Sequence, residues 1–331
     1  MFKIGLKNQF FIDKFNKYKL MAYQDFKFNS KHNSYEFYNR YEKLKLGTEL
    51  CDFLNTNFFN NESIREFINK YGVTTIASLS GIKINAHYSK EEYDSMVDEV
   101  INSVKDKLEE YKNAFIEDIT YIYNINDLEE LNNLIPTQRL HILRDSKKES
   151  QVKKLYNSNN LKLSLNNFGN FAEFSITSED DAQEIAKNVK ADYLNTYCFE
   201  SNDVIQSFII ELFEMTEIES TAIKKCKNCG KFFVPDNRVD ELYCNSIYEN
   251  NKTCKEVGPF RTKQKLMQEN DDLRVYRNVY QKLLLRTRRN PTNTQYEEDF
   301  NNFKKENNEL KKKVENGEIP QAKYVKWLEE Q

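Results

Sequence analysis

The sequence predicts an α+β protein with a mixed α/β N-terminal body, a small ribbon-like module built on four cysteines, and a helical C-terminal tail. Three observations predict it. Apolar residues over the first 218 positions switch repeatedly between strand-like alternation and the i, i+3, i+4, i+7 spacing of helices. Four of the six cysteines crowd into the 29 residues from Cys226 to Cys254. From Pro259 onward the pattern is helical and increasingly polar. The segments expected are therefore 1–218, 219–258 and 259–331. With 31% charged residues the chain is polar, but 23 Phe and 20 Tyr supply enough ring area for a packed body.

Residues 1–30 mix aromatics and lysines without a clear period and read as strand or irregular. From Ser34 the pattern reads as helical through about Asn55. Ser63 and Glu66 have the capping-box spacing and Gly72 suits a left-handed stop, framing a helix over 64–71. Residues 74–89 alternate around Gly81, a strand or hairpin signal. A long helix begins at Ser89, with Glu92 as its box partner. Its residues Tyr93, Met96, Val97, Val100, Ile101, Val104, Leu108 and Tyr111 form one apolar stripe. Residues 114–124 are aromatic and β-branched and read as a strand, while Asn126 and Glu129 open a short helix ending at Pro136. Residues 161–177 alternate on both sides of Asn-Phe-Gly-Asn, a hairpin signal. Helices follow from Ser178 and from Asp203, the second with Gln206 as box partner. Cys51 and Cys198 read as small buried hydrophobes.

Pro259 reads as the first turn of one long helix reaching Arg289, closed by Asn290-Pro291. Its stripe is Leu266, Leu273, Tyr276, Tyr280 and Leu283. Residues 294–315 form a very polar helix, and 320–330 a short one whose Trp327 and Leu328 clamp back on its predecessor. Such a tail is an antiparallel cover or a homodimer contact through the C-terminal helices. The longest apolar run, near 204–213, is far short of a membrane span. Residues 1–13 lack the apolar core and cleavage site of a secretory signal, so a cytoplasmic location is expected.

The cysteines are spaced as Cys226-x2-Cys229, then 14 residues, then Cys244-x9-Cys254. Two thiolates separated by two residues can turn onto one tetrahedral ion, and the loop to Cys244 is long enough to return a second pair. Gly230 suits a tight turn that faces N–H groups toward a sulfur. Disulfides would need an oxidising compartment. An iron–sulfur cluster would use the same four thiolates, though at more compact spacings. A catalytic zinc site usually keeps an open position and often a His, and there is none after His141. One closed, structural zinc held by Cys226, Cys229, Cys244 and Cys254 is the expectation.

The net charge of −3 hides an asymmetry. Residues 1–220 carry 26 Lys and Arg against 35 Asp and Glu, residues 221–290 carry 16 against 8, and residues 291–331 carry 7 against 9. A basic module attached to an acidic body is the arrangement expected of a protein that meets a polyanion. The candidate nucleic-acid contacts are Arg238, Lys255, Arg261, Lys263, Arg274, Arg277, Arg288 and Arg289, with Lys224, Lys225 and Lys231 beside the first cysteine pair. Arg274, Arg277 and Arg288 fall within roughly 60° of one another on a helix. Phe232 or Tyr243 can stack on a base if exposed, with Phe233 expected over the metal knuckle because alternation turns it the other way. No G-x-S-x-G, P-loop, G-x-G-x-x-G or H-E-x-x-H pattern is present, and His32, His87 and His141 are scattered. A non-enzymatic role is therefore expected ahead of a site in the body built on carboxylates, His87 or His141.

Residues 50–56, Leu-Cys-Asp-Phe-Leu-Asn-Thr, together with the helix that follows, resemble the opening of the ABATE domain. The cysteine segment is similar to the CGNR zinc finger that accompanies that domain, through Cys229-Gly230, Phe233, Arg238, Tyr243-Cys244, and Cys254 entering a basic helix at Arg261. The region from Cys226 to Pro291 also resembles an uncharacterised bacterial family with a C-terminal four-cysteine finger. The first cysteine pair is closer here, and Cys254-Lys-Glu-Val stands in place of the naming tetrapeptide. The resemblance implies a bacterial transcription regulator whose finger binds DNA or RNA. A zinc-stabilised scaffold that binds another protein is the alternative.

Overall fold

The computed structural model describes residues 8–14, 16–145, 197–201 and 203–331. The hairpin expected over 161–177 and the helix expected from Ser178 lie outside the described residues, as does the side chain of Cys198. The architecture is α+β, and the described residues form two compact units, Met1–Cys226 with Gly230–Cys244 and Lys227–Cys229 with Asn245–Gln331.

In the first unit, β1 (Asn8–Asp13), β2 (Tyr18–Asn29) and β3 (Ser34–Lys45) form an antiparallel meander. Adding β4 (His87–Ser89) beside β3 and β5 (Tyr197–Ser201) beside β1 gives the order β4-β3-β2-β1-β5. Residues 34–45 are thus a strand where a helix is expected from Ser34 to about Asn55, and only Thr48–Asn55 of that stretch is helical. All twelve of them pair with Tyr18–Asn29, and rings meet directly across the pair, Phe28 with Tyr35 at 5.2 Å and Phe26 with Phe37 at 5.5 Å. Those cross-strand contacts outweigh local propensity.

The first helix is α1 (Thr48–Asn55). In α2 (Asn61–Tyr71) the cap is Asn60, whose side chain accepts the N–H groups of Glu62 and Ser63, so Ser63 is inside the helix; Gly72 ends it at φ +85, as expected. Residues 74–89 yield only the single-turn α3 (Thr74–Ala77) and the short β4. Thr74, Thr75, Ile76 and Ala77 are all buried, which a half-buried strand does not allow. The helix from Ser89 is present with its full capping box, but α4 (Lys90–Ile122) runs 33 residues. It absorbs the strand expected at 114–124, because Phe115, Ile119 and Ile122 continue the buried stripe. Pro136 opens α5 (Pro136–Asp145) instead of ending a helix, since a missing N–H costs nothing in a first turn; only a 3-10 turn, Glu129–Leu131, precedes it. Asp203 caps α6 (Val204–Thr216) by accepting the Gln206 N–H at 2.9 Å. His32, His87 and His141 are all exposed.

Phe53 of α1 is the centre of the core, with rings of Phe208, Phe58, Phe67 and Phe115 at 5.0 to 6.2 Å. Cys51 is buried as expected, and burial pushes its thiol well above the ordinary range. Beside this core sits a fully buried charged triad. Lys19 of β2 donates to Glu49 of α1 at 2.7 Å and to Glu211 of α6 at 2.6 Å, and the other Glu211 oxygen accepts the Gly47 N–H at 2.6 Å. Burial pulls the Lys19 ammonium down, but Glu211 and Glu49 more than offset this and leave it raised. Burial pushes the Glu49 carboxyl up, against Lys19 and with help from Glu211. One lysine facing two carboxylates ties strand, helix start and second helix into one geometry.

In the second unit, α7 (Cys254–Glu269) and α8 (Asp271–Arg289) replace the single helix expected from Pro259. The capping box of Thr253 and Glu256 starts α7 five residues before Pro259, which then sits inside the helix at the cost of one backbone hydrogen bond. Extended Asn270 separates the two, and Asp271 and Asp272 suit the new N-terminus. The tail helices α9 (Thr294–Glu315) and α10 (Gln321–Glu329) fall where expected. Val279, Leu283, Phe300, Phe303, Tyr324 and Leu328 form the core that α8, α9 and α10 share. Trp327 stacks on Phe303 at 5.6 Å, and the Tyr324 hydroxyl donates to buried Asn307 at 2.7 Å.

Replacing Lys19 by Met leaves two buried carboxylates facing each other and is expected to cost about 3–5 kcal/mol. The raised Glu49 carboxyl means that the folded state keeps a proton the unfolded chain releases. Its contribution is full below the ordinary carboxyl value and is lost as pH rises through the raised one. Urea melts followed by circular dichroism between pH 4 and pH 8 should show wild type losing stability relative to Glu49→Gln as pH rises. Parallel curves would contradict this reading.

Candidate metal centre

The first cysteine pair lies on a hairpin. β6 (Lys224–Lys225) pairs with β7 (Phe232–Phe233), the Cys226 N–H donates to the Lys231 carbonyl at 2.8 Å, and the Gly230 N–H donates to the Cys226 carbonyl at 2.9 Å. Gly230 stands at φ +75, a conformation that favours glycine. Its N–H closes the backbone turn, and groups that face sulfur include the Cys244 N–H, 3.4 Å from Cys226 Sγ, and the Asn228 amide, 3.3 Å from Cys254 Sγ.

Cys254 follows a second hairpin. β8 (Ile247–Glu249) and β9 (Lys252–Thr253) turn through Asn250-Asn251, both at positive φ, the two-residue geometry that best matches strand twist. The Cys254 N–H donates to the Ser246 carbonyl at 3.0 Å. As the first residue of α7, Cys254 lies at the positive end of a helix dipole, which favours the thiolate.

These turns bring the four predicted cysteines together. One Sγ from each lies within 4.8 Å of every other, with Cys226, Cys244 and Cys254 buried and Cys229 half-buried. A tetrahedral shell of thiolates at 2.3 Å from an ion would place the sulfurs about 3.8 Å apart. The donor set and its spacing thus fit a metal ion with four protein ligands.

The body buttresses the first hairpin through a residue that sequence reading did not single out as part of the site. Asn55, at the end of α1, accepts the Phe232 N–H and donates to the Phe232 carbonyl, both at 2.8 Å, across 177 residues of sequence. Lys45 adds bonds to the Pro235 carbonyl at 2.6 Å and the Asp236 carboxylate at 2.7 Å. Phe232 is consequently part of the body core and Phe233 is the half-buried ring, the reverse of the expectation from alternation. Phe232 is unavailable for stacking on a base.

The basic candidates are spread along the segment. Arg238 is exposed and pairs with Asp240 at 3.2 Å. On α7, Lys255 is half-buried, Lys263 is exposed, and Arg261 donates to the Tyr248 hydroxyl at 3.0 Å and to Glu249 at 2.5 Å. On α8, Arg274 pairs with Asp271 at 2.5 Å and Arg277 rests on Met267 Sδ at 2.8 Å, while Arg288 and Arg289 are exposed. Arg274, Arg277 and Arg288 lie on the side of α8 roughly opposite buried Val279 and Leu283, so they share an outward face.

Asn55→Ala should leave Phe232 without its two side-chain hydrogen bonds and loosen the turn that carries Cys226 and Cys229. Metal retention against a chelator is expected to fall on the order of 10-fold, with all four ligands still present. Unchanged retention would show that the clamp does not position the site.

Residues 179–331 match the model of a family described as a family of unknown function (DUF6076), a stretch that includes all four clustered cysteines and every helix after them. No curated protein matches the chain. No solved structure matches it either.

Proposed function

We propose that the protein is a zinc-dependent nucleic-acid-binding regulator without catalytic activity, acting in the cytoplasm. The observation that carries the reading is the four-cysteine cluster at the start of a basic helix. Four thiolates, no nitrogen donor and a protein-closed shell suit a structural zinc. The ion would hold the N-terminus of α7, from which Lys255, Arg261 and Lys263 project. The charge of residues 221–290, 16 cations against 8 anions, supplies attraction to phosphate. The likeness to ABATE-domain and CGNR-finger proteins points the same way, toward transcription regulation in bacteria. The tail helices α9 and α10 spend their apolar stripe on α8, which favours a cover over a separate arm.

If about six cations meet phosphates, affinity for duplex DNA should fall with salt at a log–log slope of roughly −5. Lys263→Ala with Arg288→Ala, both at exposed positions, should flatten that slope by about two without loss of metal. Fluorescence titrations at low salt that show no binding to duplex, single-stranded DNA or RNA would remove the nucleic-acid reading and leave a protein partner.

A further inference from the structure

We propose that β8, β9 and the first half of α7 form a platform on which unpaired bases stack, so that the nucleic acid bound is single-stranded. This rests on the nucleic-acid reading above and gives it a substrate class. Four aromatic rings stand well exposed among the described residues, Phe28, Phe59, Tyr248 and Phe260. Two of these lie in this one element group, Tyr248 at 41% and Phe260 at 62%, joined by Ile247 at 72%. Most of the described rings are placed in cores, so an exposed Phe at the helix start and an exposed Ile in the hairpin before it are surface without an internal use.

The surroundings identify the occupant by charge. Residues 247–266 carry Lys252, Lys255, Arg261, Lys263 and Lys265 against Glu249 and Glu256, with Lys265 paired to Glu269 beyond them at 3.7 Å. Both carboxylates are committed, Glu249 to Arg261 and Glu256 to the Thr253 cap. An apolar protein segment would meet these cations at a desolvation cost, whereas a single strand supplies phosphates to the cations and flat apolar faces to the rings.

Tyr248 is also pre-set. The Arg261 guanidinium lies over its ring at 4.7 Å, bonds its hydroxyl at 3.0 Å and is itself held by Glu249. A ring fixed in this way loses little rotamer freedom when a base arrives. Phe260 precedes Arg261 on α7, about 100° away around the helix, and adds a second exposed ring at the helix start. Stacking between successive pairs in a duplex hides the base faces that such rings recognise, which is why a duplex gains only the phosphate contacts here.

The test uses the full metal-loaded chain and labelled single strands of about 15 nucleotides, both DNA and RNA, against a duplex of the same length. Single strands should bind at least 10-fold more tightly than the duplex. Phe260→Ala should weaken single-strand binding about 5- to 100-fold with duplex binding, metal content and circular dichroism unchanged, and Phe260→Trp should restore it. If Phe260→Ala is silent on single strands while Lys263→Ala with Arg288→Ala lowers all binding, the platform is overturned and the nucleic-acid reading stands. If no nucleic acid binds, both fall. If sedimentation shows a dimer that Phe260→Ala dissolves, the rings serve a contact between copies and the proposal is overturned.

Discussion

Four sulfurs within 4.8 Å of one another are the constraint on which the functional half of this molecule depends. As thiolates they repel one another strongly, and as thiols they give up a bonding opportunity worth more than any local contact; a cation among them resolves both. The local structure is arranged for that outcome. Gly230 closes the first turn at positive φ, Asn250 and Asn251 close the second hairpin, and a helix begins at Cys254 with its dipole aimed toward the sulfur. Each device orders only a few residues, and none of them packs a sizeable core. Beyond the clamp that Asn55 and Lys45 put on the first hairpin, an ion held by the four sulfurs would supply free energy to keep these short turns in place, as in small metal modules generally.

The first unit solves a different problem. Its aromatic core is built on tilted and edge-to-face ring pairs around Phe53. The Lys19, Glu49 and Glu211 triad is costly to bury, and it adds directionality at one point where β2, α1 and α6 meet. Asn55 extends the same logic outward. Its amide presents one donor and one acceptor to Phe232 and so replaces a missing strand neighbour for β7. Asn55 thereby holds on the body the turn that carries Cys226 and Cys229.

Local signals in the sequence were legible and non-local ones were not. The cysteine set, the Ser89 and Asp203 helix starts, the Gly72 stop, the two tail helices and the Trp327 and Leu328 clamp follow from spacing or capping, and all are present. Residues 34–45 read as helical, and pairing with β2, which lies outside any local window, makes them a strand. Residues 114–122 have strand-like composition, yet their apolar residues continue the stripe of α4. Both prolines were misread for one reason: Pro136 begins a helix and Pro259 lies inside one, because the start of each helix is set by neighbouring caps and packing as well as by the missing N–H. Asn55 with Phe232, and Lys19 with Glu211, are contacts across 177 and 192 residues, which no short window contains. The shared face of Arg274, Arg277 and Arg288 was legible from helical spacing, because all three fall within α8, whereas the break at Asn270 that separates them from Lys255, Arg261 and Lys263 was not.

The most direct test of the account is X-ray absorption at the zinc edge on purified protein, paired with metal analysis. One zinc per chain with a shell of four sulfurs at about 2.3 Å, lost in Cys229→Ser, is the result predicted. A shell containing nitrogen or oxygen donors, short metal–metal distances of an iron–sulfur cluster, or no metal at all would contradict it.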